Sequence, residues 1–176
     1  MVATTAPPER FSRAERAFHW TNAALFGAVM LTGSVLYIGQ LSVLVGHREI
    51  VRAIHVYCGL AIPVVFLVAL LPRWGRALRA DLRRIDRWTA EHKFNRGQRL
   101  NAAFLMAATV VTLGTGSIMK WFEPFPLDWR TGATFVHDWF AFAIWMVVLG
   151  HIWFGLNDRE AFRAMTRGGG RVTSER

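Results

Sequence analysis

Four histidines lie inside long apolar runs of this chain, where polar ring nitrogens are costly and are retained mostly because they bind something. The stretch FVHDWFAFAIWMVVLGHIWFG, residues 135–155, carries two of them, His137 and His151, fourteen positions apart. On a helix, fourteen residues at about 100° each return to within roughly 40° of the starting direction, so both rings share a face and stand about 21 Å apart along the axis. The others are His19, near the start of one apolar run, and His55, near the start of the next. If the runs cross a bilayer in alternating directions, the rings sort by depth: His55 with His137 on the outer side, His19 with His151 on the inner side.

Two stacked sites, each with one imidazole from each of two helices, is the arrangement that bis-histidine haem b requires. The iron takes two axial imidazoles, and the macrocycle needs apolar walls with room for close approach. Gly59, one turn beyond His55, and Gly27, two turns beyond His19, supply room; Ala141, Ile144 and Val148 separate His137 from His151. A single membrane histidine has a plainer reading as a hydrogen-bonding group between helices, but four at matched depths point to binding. Zinc is a poor match, because two histidines per level without a carboxylate or thiolate are too few for a structural site. His47 and His92 fall in connections and read as surface residues.

The elements that must position these rings follow from composition. The chain has 176 residues, 53% of them hydrophobic, with eight tryptophans and a formal net charge of +9. Four segments, about 17–39, 51–72, 98–120 and 133–156, approach the roughly 20 apolar residues that span a bilayer. Helix is the expected form, because lipid offers no partner for unpaired backbone groups and these runs lack strand-like alternation. Pro63 inside the second run predicts a bend there. Seventeen of the twenty-one Lys and Arg residues fall in the N-terminal tail, the 73–99 stretch and the tail from Arg159. With four spans these all lie on one side, which the positive-inside rule makes cytoplasmic. The basic balance thus reports membrane orientation rather than nucleic-acid binding. Cys58 is the one cysteine, so disulfides, iron–sulfur clusters and covalent c-type haem are excluded.

The expected domain plan is a cytoplasmic tail at 1–16, a transmembrane domain at 17–156 and a cytoplasmic tail at 157–176. The connection at 73–97 reads as basic and amphipathic, with Trp74, Leu78, Leu82, Ile85 and Trp88 at helical spacing. It suits either a helix lying in the headgroup layer or one docking on a partner. The first apolar run is too long for a signal-peptide core and reads as a retained helix. Trp121, Phe122 and Trp129 read as an interfacial aromatic belt on the opposite side. No internal repeat and no soluble domain is read.

RFSRAERAFHWTNAALF, VRAIHVYCG and KFNRGQRLNAAFLMAATVVTLGTGSIMKW, together with the histidines fourteen apart, give the chain its resemblance to a known family. Over about residues 10–160 it resembles the gamma (cytochrome b) subunits of membrane-bound formate dehydrogenases and nickel-hydrogenases. The third stretch is similar to the formate dehydrogenase type, with Phe94 in place of a tyrosine and Arg99 in place of a lysine. The resemblance implies an all-α integral membrane four-helix bundle binding two b-type haems, with both termini cytoplasmic. It assigns His55 and His137 to the outer haem and His19 and His151 to the inner one, the pairing that depth alone suggests. It also implies a quinone pocket (menaquinone or ubiquinone) around Asn95, Gly97 and Gln98 with His151 alongside. Read by themselves, Asn95 and Gln98 are equally suited to capping the third helix. Arg16 and Arg52, each three residues before a histidine, suit haem propionates or headgroup anchoring alike.

The function expected is electron transfer in the cytoplasmic membrane. Electrons from the iron–sulfur and catalytic subunits of a partner dehydrogenase, outside the membrane, would cross two haems to a quinone near the cytoplasmic face. The alternatives are a haem-free anchor or proton-path protein, and a stand-alone haem b carrier linked to quinol.

Overall fold

The structure is a computed structural model that describes residues 11–70 and 96–168. Most of the 73–97 connection, including Asn95, lies outside these residues, as do His92 and the two chain ends. Among the described residues every regular element is a helix. They are α1 (Arg13–Tyr37), α2 (Gly39–Val45), α3 (Arg48–Leu70), α4 (Arg96–Lys120), α5 (Leu127–Asn157) and α6 (Arg159–Thr166).

Each long helix starts earlier than its apolar run, because polar residues continue the helix beyond the apolar core. α1 begins with a capping box: the Ser12 hydroxyl accepts from the Glu15 backbone N–H at 3.2 Å, and the Ser12 N–H donates to the Glu15 carboxylate at 2.9 Å. α3, α4 and α5 are each long and apolar enough to cross a membrane. α1 reaches that standard only together with α2, and the two meet at a 105° bend. The break falls at Ile38, whose backbone is extended, so the first run ends at Tyr37 and α2 turns aside. α1 falls short alone because Asn22, Thr32 and Ser34 interrupt its apolar run. α3 runs unbroken through Pro63.

The helices pack as two antiparallel hairpins, α1 along α3 and α4 along α5, with sparse contact between the hairpins. The hairpins repeat one another, a relation hidden in the sequence. α1 and α4 both have 25 residues. Counted from their first residues, Arg13 and Arg96, the triplets Thr32-Gly33-Ser34 and Thr115-Gly116-Ser117 occupy the same positions, as do Arg16 and Arg99. Along α3 and α5, Arg48, Val51, His55 and Ile62 match Arg130, Ala133, His137 and Ile144. Val51, Ala133, Ile62 and Ile144 are all buried.

Between the hairpins, Met30 of α1, Ala108 of α4 and Ile144 of α5 form a buried cluster, with Phe26, Phe104, Phe140, Trp145 and Val148 packed against it. Ile144 is midway between His137 and His151, so this apolar layer separates the two histidine levels. The outward faces are apolar too: Val110 is 68% exposed and Leu67 62%. Such a contiguous apolar exterior suits hydrocarbon, not water. At one end, α6 folds back toward the start of α1. Asp158 caps it by accepting from the Ala161 N–H at 3.0 Å, Ala161 and Ala164 are buried, and the Trp20 indole N–H donates to the Met165 carbonyl at 3.2 Å.

Candidate functional site

The four membrane histidines meet as two pairs. The His55 and His137 ring centroids are 6.2 Å apart, and those of His19 and His151 are 6.1 Å apart. One ring of each pair comes from each hairpin, so each pair bridges the two. Metal–imidazole bonds of about 2.0–2.1 Å put the ring centres of two imidazoles sharing one ion roughly 6 Å apart. Both pairs therefore have the spacing of opposed ligands on a single metal ion. Among the described residues no three His, Cys, Asp or Glu side chains converge.

The outer pair is held identically from both hairpins. In α1, the Thr32 hydroxyl donates to the Ala28 carbonyl at 2.6 Å and lies 3.1 Å from His55 Nδ1. Its one proton is thereby spent, so its oxygen accepts and Nδ1 carries the hydrogen. The Val29 carbonyl, 3.1 Å from the same Nδ1, can only accept as well. In α4, the Thr115 hydroxyl donates to the Val111 carbonyl at 2.8 Å and lies 3.0 Å from His137 Nδ1. The Thr112 backbone is a further partner of that ring. Both imidazoles are thus locked as Nδ1–H tautomers, which leaves the Nε2 lone pair for a metal.

Glycine brings these rings in close. A Cβ added at Gly33 would stand 3.2 Å from His55 Cε1, and one at Gly116 the same distance from His137 Cε1. At Gly27 and Gly59, read from the sequence as leaving room for a macrocycle, a Cβ would meet nothing within 4 Å and only a Val29 methyl at 3.9 Å, respectively. Thr32, Thr115, Gly33 and Gly116 were not legible as site residues from the histidine pattern. The Thr-Gly-Ser triplet at one position in two equally long helices is the signal that marks them.

The inner pair is built differently. His19 lies in the second turn of α1 and His151 near the end of α5; the first is half-buried and the second exposed. The repeat does not extend to them, since the matching positions are Ala102 in α4 and Ala69 in α3. Among the described residues, two buried side-chain polar atoms have no hydrogen-bond partner, Asn22 Oδ1 and Arg130 Nε. Asn22 is one turn from His19, and Arg130 is two turns from His137. Each orphan therefore sits beside one histidine pair, as expected if a group with polar substituents occupies each level.

Gly97 and Gln98 lie in the first turn of α4. Because α4 runs antiparallel to α5, with Thr115 opposite His137, that turn lies about one helical turn beyond the level of His151. Gln98 is half-buried while Arg96, Gly97, Arg99 and Leu100 are exposed and line a depression of about 450 Å³. Arg16 donates to the Phe11 carbonyl at 2.9 Å, and Arg52 pairs with Glu49. His47 is exposed, at positive φ in the turn before α3.

Residues 10–168 match the family described as prokaryotic cytochrome b561, and the chain belongs to that family. It is therefore a multi-pass membrane b-type cytochrome of electron transfer, from a family that binds haem b and pairs with dehydrogenase or hydrogenase subunits. No curated protein matches the chain.

Proposed function

We propose that this prokaryotic cytochrome b561 family member is a di-haem electron-transfer subunit. It carries electrons from a formate dehydrogenase-like or hydrogenase-like partner on the outer side to a quinone near the cytoplasmic face. His55 and His137 bind the outer haem, and His19 and His151 the inner one. The observation that carries this reading is the pair of imidazole separations, 6.2 and 6.1 Å, each fitting one metal ion between two rings. The clustering of Lys and Arg at 73–99 and in the two tails supports cytoplasmic termini.

Haem, when bound, supplies the one-electron chemistry; the protein supplies binding, orientation and electrostatics. His55 and His137 present oriented Nε2 lone pairs because Thr32, Thr115 and two backbone partners hold the opposite nitrogens. The layer of Met30, Ala108 and Ile144 keeps water from the path between the levels. Gln98, with Asn95 and Gly97, offers hydrogen-bonding groups to quinone carbonyls where cytoplasmic protons are available, and His151 lies within about one helical turn of that depth. The substrate-oxidising site belongs to the partner subunits.

The deciding measurement is a dithionite-reduced minus oxidised spectrum of the detergent-purified protein, with haem quantified per chain. Two b-type haems are expected, with His137→Ala and His151→Ala each removing one. A well-folded protein without haem, expressed with adequate haem supply, would overturn the reading.

A further inference from the structure

We infer that Arg130 binds the carboxylates of the outer haem, an assignment that rests on the di-haem reading above. Arg130, Ala133, His137, Ile144 and His151 lie along one face of α5 by their helical spacing. Ala133 and Ile144 are buried, so this face points into the bundle. Arg130 lies two turns, about 10 Å, outward of His137 on it. Its side chain is half-buried, Nε is buried without a hydrogen-bond partner, and its guanidinium stands over the Phe122 ring at 5.5 Å from the centroid. The ring contact favours the cation and limits where it can swing.

A guanidinium is always charged and has five donors, and burying part of it without an acceptor is costly. The nearest acidic side chains in sequence, Glu123 and Asp128, are exposed, and among the described residues neither pairs with Arg130. The other outer arginines are engaged: Arg52 pairs with Glu49, and Arg48, the repeat counterpart of Arg130, donates to the Ser42 hydroxyl at 2.7 Å. Of these three, Arg130 is the one with a side-chain donor buried without a partner, two turns outward of a histidine on the same face. An anion reaching outward from that level meets it, and haem b carries two carboxylates. A phospholipid headgroup offers similar acceptor chemistry from the other direction, and the test separates the two sources.

The test compares Arg130→Gln, Arg130→Lys and Arg48→Gln with the parent in the purified, haem-loaded protein, by redox titration and haem quantification. The outer component is the one that His55→Ala removes. A cation beside the carboxylates favours the reduced, less positive centre, so Arg130→Gln lowers the outer midpoint potential and speeds haem loss. Arg130→Lys restores most of the potential, and Arg48→Gln leaves it in place. An unchanged outer potential and haem content in Arg130→Gln overturns the assignment, and a simultaneous fall in co-purifying phospholipid then names the headgroup as the ligand. If Arg130→Gln does not fold, Arg130→Met decides: a lowered outer potential supports the assignment, and a parental potential overturns it. Absence of haem from the parent overturns the di-haem reading itself, which is a separate outcome.

Discussion

At the level of single residues, the two threonines hold Nδ1 of each outer imidazole and so leave Nε2 as the nitrogen available to a metal. Each Thr hydroxyl gives its proton to a carbonyl of its own helix and so can only accept from the histidine. A hydrogen bond to the distal nitrogen makes the imidazole a stronger electron donor to a bound metal. Thr32→Val or Thr115→Val weakens that donation and raises the outer midpoint potential. One net hydrogen bond is worth about 0.5–1.5 kcal/mol, which for a one-electron couple corresponds to on the order of tens of millivolts. The Val29 and Thr112 backbone partners remain, so the effect of either change is partial, and Ser at either position restores the parent value. A redox titration of the three forms checks the sign, which is opposite to that expected for Arg130→Gln. The inner potential stays at the parent value in all of them.

At the level of elements, the helices of each hairpin meet closely at the outer histidines, against Gly33 and Gly116. Gly116→Ala puts a methyl 3.2 Å from His137 Cε1, so the ring shifts by a few tenths of an ångström and loses its line on the partner ring. Overpacking of this kind costs about 1–3 kcal/mol, more than the gain of about 1 kcal/mol from replacing a helical glycine by alanine. Gly114→Ala, two residues earlier in α4, meets nothing within 4 Å and keeps only the gain. Haem content and thermal unfolding in detergent are expected to separate the two: Gly116→Ala loses outer haem and stability, while Gly114→Ala keeps the haem and unfolds at a slightly higher temperature. Gly33→Ala behaves as Gly116→Ala does, because the repeat places it in the same relation to His55.

Across the whole molecule, two hairpins with sparse mutual contact are joined by one small apolar cluster and by two bridging histidine pairs. A ligand that binds only the assembled bundle stabilises it by mass action, about 2.7 kcal/mol when its concentration is one hundred times the dissociation constant. Haem-depleted protein is therefore expected to unfold at a markedly lower temperature than haem-replete protein. Circular dichroism melts of the two preparations test this. His55→Ala combined with His137→Ala should shift the replete protein only part of the way, since the inner pair still bridges the hairpins. Equal melting temperatures with and without haem would mean that side-chain packing alone holds the hairpins together.

Much of the design was legible in the chain itself. The long apolar helices follow from bilayer thickness and helical rise, which act along one dimension; three reach spanning length singly and α1 only together with α2. The pairing of His55 with His137 and of His19 with His151 follows from depth, because alternating spans leave each ring only one partner at its own level. Where α1 ends was not legible, since composition is continuous through Tyr37, Ile38 and Gly39 and only the backbone turn at Ile38 separates α1 from α2. The candidate quinone residues rest on resemblance, and Asn95 lies outside the described residues. The tertiary structure decided what depends on which face meets which helix. It set Gly33 and Gly116 against the outer rings, gave Thr32 and Thr115 their acceptor role, tied Arg52 to Glu49 and left Arg130 Nε buried without a partner. It also exposed the hairpin repeat, whose few shared positions are scattered along the helices and become equivalent only when their contacts across the helix pairs are compared. Distances between helices are properties of three-dimensional packing, and one-dimensional periodicity carries no record of them.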